Sequence, residues 1–255
     1  MGERTEHAPG TFSWADLSTS DTDGAKAFYT SLFGWDAEDS PIPEGGVYTM
    51  LLKGGKPVAA LSAAREGQPS AWNTYVTVES ADDSAAVAGE RGGTVVMEAF
   101  DVMDVGRMAV VQDPTGAFFA VWEPHASIGA ERVNEPGALT LTQLNTSNPE
   151  RAQEFYADVF GWRFEPVEGG DVPYWGIYNG DRVNAGMMPL AAEMGAPSHW
   201  LAYFGSESVD DDVARISELG GSVMVPPMSV PGGRILVAAD PQGGVFGLFS
   251  GRFDD

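Results

Sequence analysis

Phe28-Tyr29-Thr30-Ser31-Leu32-Phe33-Gly34-Trp35 returns as Phe155-Tyr156-Ala157-Asp158-Val159-Phe160-Gly161-Trp162, an offset of 127 (155 − 28). A second landmark, Asp113-Pro114-Thr115-Gly116, returns at the same offset as Asp240-Pro241-Gln242-Gly243. Arg107 maps onto Arg234, and Trp72 onto Trp200, in the same order. Landmarks repeated at one spacing across a whole chain mean an internal duplication. Two similar halves follow, and a functional residue in one half has a counterpart to be checked in the other.

Outward from the first landmark, Phe12 to Thr19 alternates as a strand does, with Trp14, Asp16 and Ser18 on one face. Asp21 is placed to cap a helix whose apolar residues Ala25, Phe28, Tyr29 and Leu32 recur at helical spacing, and Gly34 ends it. In the duplicate, Asn148 is the cap, Pro149 takes the first helical position and Gly161 closes. Three strands follow, Trp35–Glu38, Val47–Lys53 and Pro57–Ala63, the last two joined by Gly54-Gly55. The pattern then recurs within the same half: a strand over Asn73–Glu79, a helix over Ala81–Arg91, and strands over Thr94–Glu98, Arg107–Gln112 and Ala117–Trp122. The expected organisation is α+β, with four β-α-β-β-β modules in two domains. Residues 1–11 read as a flexible tail, 12–124 as the first domain, 125–136 as a linker, 137–251 as the second domain and 252–255 as a tail.

Bulk properties narrow the function classes. The 255 residues are enough for two cores, and 43% hydrophobic content is ordinary for globular domains. No apolar run reaches membrane-span length, and the N-terminus lacks the apolar region of a secretory signal, so a cytoplasmic protein is expected. Cysteine is absent, which excludes disulfides, thiolate nucleophiles and cysteine-held metals. A net charge of −23 repels nucleic acid and anionic membrane and leaves a small molecule as the expected partner. There is no Gly-x-Ser-x-Gly element, phosphate loop or dinucleotide fingerprint.

The two landmarks, present twice and in order, resemble the vicinal-oxygen-chelate superfamily. That superfamily includes glyoxalase I, extradiol dioxygenases, and bleomycin- and fosfomycin-resistance proteins. The closer likeness is to two-domain actinobacterial members often labelled glyoxalase-like or hydroxylase. The resemblance implies an open eight-stranded barrel in each half, packed through pseudo-twofold symmetry in a monomer or a weak homodimer.

The resemblance also implies where a divalent metal would be held in metal-dependent members: four strand positions per half, filled by His, Glu or Gln. Carried over by the landmarks, these positions are Trp14, Ala60, Asn73 and Ala120 in the first half. In the second they are Leu141, Gly186, Leu201 and Gly247. Asn73 alone is a weak donor, whereas a metal site needs three or four converging ligands. No metal or other cofactor is expected. Of the three histidines, His7 lies in the tail, His125 in the linker and His199 beside a strand of the second half. His199 reads either as a strand-edge side chain or as a ligand.

Strand alternation gathers the remaining inward residues. Trp14, Asp16, Asn73, Tyr75 and Trp122 are expected in the first cleft. Gln143, Asn145, Tyr203 and Phe249 are expected in the second. This aromatic lining with sparse polar anchors suits a small-molecule pocket, although each aromatic could equally fill the barrel. Asp16, if it faces an apolar cavity, becomes a candidate acid or base; the alternative is a carboxylate satisfied by Arg or backbone N–H groups. The repeated Gly106-Arg107 and Gly233-Arg234 pairs read as a tight turn plus an ion pair to an Asp or Glu. The expected function is metal-free binding of a small hydrophobic or aromatic molecule. The alternative is a cofactor-independent enzyme acting on a polyketide-like or carbonyl metabolite through Asp16, and a metal-dependent lyase or dioxygenase is third.

Overall fold

The computed structural model describes residues 2–42, 45–169, 172–191 and 195–253. Its first half runs β1 (Phe12–Thr19), α1 (Thr22–Phe33), β2 (Asp36–Pro41), β3 (Val47–Lys53), β4 (Lys56–Ala63), β5 (Ala71–Thr77), α2 (Ala81–Glu90), β6 (Thr94–Val102), β7 (Gly106–Gln112) and β8 (Phe118–Pro124). The second half repeats this order: β9 (Leu139–Thr146), α3 (Pro149–Phe160), β10 (Arg163–Pro166), β11 (Trp175–Asn179), β12 (Arg182–Pro189), β13 (His199–Gly205), α4 (Val209–Glu218), β14 (Ser222–Val230), β15 (Gly233–Ala239) and β16 (Val245–Gly251). Each half is one eight-stranded mixed sheet, ordered β2-β3-β4-β1-β5-β8-β7-β6 and β10-β11-β12-β9-β13-β16-β15-β14. The sheets curve without closing, so the four modules form two open barrels.

The local signals act as their chemistry dictates. The Asp21 side chain accepts from the Gly24 N–H, and Asn148 from the Arg151 N–H, each satisfying an orphan donor of its helix. Gly34 and Gly161 sit at φ 69° and 71°, the left-handed region that ends a helix at least cost for a residue without Cβ. The strands extend beyond the expected spans where a neighbour carries the ladder on. Thus β6 reaches Val102 because Asp101 pairs with Arg107 and Val102 with Gly106.

The landmarks serve the joint between halves. The Tyr29 hydroxyl donates to Asp240 Oδ2 at 2.9 Å while accepting from Trp72 Nε1 at 2.9 Å. Its counterpart Tyr156 donates to Asp113 Oδ2 at 2.9 Å and accepts from Trp200 Nε1 at 2.7 Å. Each aspartate also holds its own turn: Asp113 Oδ1 accepts from the N–H groups of Thr115 and Ala117, and Asp240 Oδ1 from those of Gln242 and Gly244. Helix α1 is thereby locked onto the turn before β16, and α3 onto the turn before β8. Burial lifts both phenols well above their usual pKa, so they stay donors.

Two cores follow from this exchange. One joins Phe28, Tyr29 and Leu32 to Phe204, Phe246 and Leu248, and the other joins Phe155, Tyr156 and Trp162 to Val76, Phe119 and Val121. Both draw on both halves, so the helical faces are sandwiched in the middle and the concave faces remain for other use.

The N-terminal segment, expected as a free tail, is tied down where it is described. Arg4 N–H donates to Glu131 O, His7 Nε2 meets Ala130 O at 2.8 Å, and Gly10 O accepts from Trp162 Nε1 and Asn184 Nδ2. Burial lowers the His7 pKa. The linker is equally engaged: Ala130 and Val133 are buried, and Ala130 N–H donates to Ser13 O. Backbone groups in these segments found partners that composition could not reveal.

Candidate functional site

Register confirms the faces on which the site is built. Asp16 on β1 stands opposite Ala60 on β4 and Asn73 on β5, while Tyr75 stands opposite Trp14 and Ala120. In the second half Gln143 stands opposite Gly186 and Leu201, and Tyr203 opposite Leu141 and Gly247.

Asp16 is the centre of the first cleft. It is 6% exposed and accepts three hydrogen bonds from three side chains on two neighbouring parts of the sheet. Tyr75 donates to Oδ2 at 2.8 Å, Tyr48 to Oδ2 at 3.2 Å and Asn73 Nδ2 to Oδ1 at 2.9 Å. Asn73 also reaches Ser18 Oγ, and Trp14 Nε1 donates to the Tyr48 hydroxyl at 3.1 Å. Burial raises the Asp16 pKa, with the bonds from Asn73, Tyr75 and Tyr48 opposing that rise. Both phenols are pushed well above their ordinary pKa, by burial first and then by the adjacent carboxylate. Neither alternative partner for Asp16, an arginine or backbone N–H groups, is the one used. A carboxylate has about four lone-pair positions. With two donors on Oδ2 and one on Oδ1, these bonds leave one position on Oδ1 unfilled.

Asp16, Asn73 and Tyr75 border the cavity together with Ser18, Ser62, Met108, Val110 and Ala120. Trp14 and Trp122 do not share that border. They pack with the linker residues Ala130 and Val133, and Trp122 Nε1 donates to Ser127 O at 2.9 Å. The Trp122 indole lies over Gly106, in space that a Cβ there would need. Arg107 pairs with Asp82 and Asp101, and Arg234 with Asp210, matching the ion-pair reading of the repeated Gly-Arg element.

Tyr48 was not singled out in the sequence. The duplication could have found it: β4 and β12 align Ala60 with Gly186, and the same alignment sets Tyr48 against Tyr174.

In the second cleft Gln143 Nε2 donates to Asn145 Oδ1 at 2.9 Å, and Asn145 Nδ2 meets His199 Nε2 at 3.2 Å. The His199 Nδ1–H donates to Pro197 O at 2.8 Å, which leaves Nε2 as the acceptor for Asn145. His199 therefore terminates an amide chain. Tyr203, Tyr174 and Phe249 border the cavity here with Leu141 and Leu201. Met187, by contrast, is in the core between halves, whereas Met188 borders the cavity.

The family's divalent ion does not fit these residues. Among the described residues no three His, Asp or Glu side chains cluster as its ligands would. The nearest carboxylate, Asp16, is surrounded by donors, where an ion needs further acceptors.

The raised Asp16 pKa has a checkable consequence. A carboxyl whose folded pKa lies above its unfolded value contributes stability that is complete below the unfolded pKa and lost as pH rises through the folded one. Wild type should therefore lose stability relative to Asp16→Asn as pH climbs from below the ordinary carboxylate range to neutrality. Urea midpoints of both proteins across that range test this. A difference that stays constant with pH would rule out the buried, proton-retaining carboxyl.

The described residues include no helix long and apolar enough to cross a membrane. The model of the Glyoxalase/Bleomycin resistance protein/Dioxygenase superfamily matches residues 11–121 and again 138–247. CFP32 of Mycobacterium tuberculosis (strain CDC 1551 / Oshkosh), labelled a glyoxylase, is 40% identical over 255 residues, covering 97% of each chain. The anthracycline biosynthesis protein DnrV of Streptomyces peucetius is 35% identical over 263 residues, covering 96% of this chain and 94% of that one. Among solved structures, the Mn(II)-bound glyoxalase from Novosphingobium aromaticivorans superposes with a TM-score of 0.68 at 19% identity. It covers 98% of this chain and 83% of that one, a likeness of fold. With both halves matched, this chain belongs to the Glyoxalase/Bleomycin resistance protein/Dioxygenase superfamily as a tandem duplication of its domain.

Proposed function

We propose that the protein binds a flat, largely apolar, hydroxylated aromatic molecule of polyketide type in its first-half cleft, without a metal. The observation that carries this is the Asp16 carboxylate, held by Tyr48, Tyr75 and Asn73 in a cavity that Met108, Val110 and Ala120 also border. Sparse polar anchors in an apolar hollow give orientation, while the walls supply affinity. The lone-pair position left on Oδ1 takes a ligand hydroxyl. The likeness to DnrV, whose description is anthracycline biosynthesis, supports a planar polyketide as the ligand class.

The test is a calorimetric titration with 2-naphthol, a planar phenol that carries no carbonyl. Binding should be unchanged by EDTA. It should weaken about 10–100-fold in Asp16→Asn, the worth of a hydrogen bond to a charged acceptor. Binding that needs added divalent metal, or that ignores the Asp16 substitution, would overturn the reading.

A second reading keeps the same cleft and adds chemistry. Burial holds a proton on Asp16 more tightly than water does, and Asp16 borders the cavity, as an acid or base acting on a carbonyl metabolite requires. Exchange of the α-protons of 1-tetralone in D2O, followed by NMR, tests it. The enzyme reading expects catalysed exchange that falls about 100-fold in Asp16→Asn; absence of exchange leaves the binding function.

A further inference from the structure

The two halves share two tyrosines and differ in the residue that stands between them. Tyr48 and Tyr75 of the first half correspond to Tyr174 and Tyr203 of the second, while Asp16 corresponds to Gln143. In the first half both phenols are spent on Asp16. In the second, Gln143 Nε2 turns to Asn145, and neither phenol has a hydrogen-bond partner among the described residues. Tyr203 is 1% exposed, yet it borders the cavity together with Tyr174. Neither hydroxyl is sealed into the core, so both protons are free to be donated into the cavity.

The two phenols are close. Burial raises the Tyr203 pKa, and the neighbouring Tyr174 raises it further. Burial alone pushes Tyr174 up to about 12. Both remain O–H donors at neutral pH. The Tyr174 hydroxyl occupies the space a Cβ on Gly186 would need, so the glycine is what lets it lie against the floor of the cleft. Around them the walls are apolar, with Leu141, Leu201 and Phe249.

We propose that the second-half cleft is a second site for a planar ketone or quinone, whose carbonyl oxygen receives hydrogen bonds from Tyr174 and Tyr203 where the first half has its own carboxylate. A neutral carbonyl is favoured over an anion because, among the described residues, no Lys or Arg bonds to Gln143, Asn145 or either phenol, and the chain carries a net charge of −23. The two clefts then have opposite polarity: the first accepts a hydrogen bond from its ligand, and the second donates to its ligand. The His199–Asn145–Gln143 chain holds the amide away from the phenols and keeps them available.

The test uses full-length protein and 9-fluorenone, a planar ketone with no donor. Wild type should bind it with the carbonyl stretch moved to lower wavenumber than in hexane, as two donors require. Tyr203→Phe and Tyr174→Phe should each weaken binding about tenfold and reduce the shift. Gln143→Asp rebuilds the first-half cradle, satisfies the phenols internally and should abolish fluorenone binding. Circular dichroism checks that each variant is folded, and Tyr174, half-buried, supplies the informative variant if Tyr203→Phe does not fold. Fluorenone bound with an unshifted carbonyl, affinity equal to that of fluorene, or binding untouched by Gln143→Asp would each overturn the proposal. Asp16→Asn should leave fluorenone binding unchanged, which separates failure here from failure of the first-cleft reading.

Discussion

Asp240→Ala should lower the unfolding free energy by about 3–5 kcal/mol, since it strands three donors at once, two of them buried. The 4%-exposed carboxylate accepts from the Tyr29 hydroxyl of the other half and from the N–H groups of Gln242 and Gly244. The turn before β16 loses its brace at the moment the halves lose their lock. Asp113→Ala should cost a similar amount through Tyr156, Thr115 and Ala117. Urea unfolding of each variant measures the loss. The contact itself is isolated by a cycle of Tyr29→Phe and Asp240→Asn, which should show a coupling of about 1–3 kcal/mol. Coupling below about 0.3 kcal/mol would mean that the Tyr29–Asp240 bond does not help to join the halves and that Asp240 is a turn device only.

Asp16→Ala should cost about 2–4 kcal/mol and remove 2-naphthol binding, because it leaves Tyr48 and Tyr75 without their carboxylate acceptor and Asn73 with Ser18. Water entering from the cavity would soften the loss, which is why it is smaller than at Asp240. The revealing variant is the triple substitution Asp16→Ala, Tyr48→Phe, Tyr75→Phe. Removing both sides of a buried hydrogen bond is nearly neutral, whereas removing one side is not. The triple should therefore be more stable than Asp16→Ala alone while still failing to bind. A triple variant less stable than the single one would show that the phenols hold the barrel by contacts independent of Asp16.

These residues also mark how far a reading of the chain reaches. Alternation assigned Asp16, Asn73 and Tyr75 to one face, and Gln143, Asn145 and Tyr203 to its equivalent, because a strand's side chains change sides at every residue. Tyr48 escaped because it sits on β3, two strands from β1. Its position relative to Asp16 depends on how β3 pairs with β4 and β4 with β1. Trp14 and Trp122 share the inward face but lie under Ala130 and Val133, so parity located their side and the linker decided their access. The linker and the segment before β1 carried no periodic signal. Their partners are backbone groups distant in sequence, which no local pattern encodes.

By itself, the chain determined the duplication, the four modules, the helix caps and the inward parity of the strands, since each of these follows from spacing and from the conformational preferences of a few neighbouring residues. Only the tertiary structure decided that Tyr29 answers to Asp240 and Tyr156 to Asp113, that two phenols and an amide hold Asp16, and that the matching phenols of the second half are left to donate outward. Those outcomes depend on which strands become neighbours and what closes over them. A carboxylate or a phenol carries the same lone pairs and protons wherever it stands, and its role is set by the groups that folding brings within about 3 Å of it.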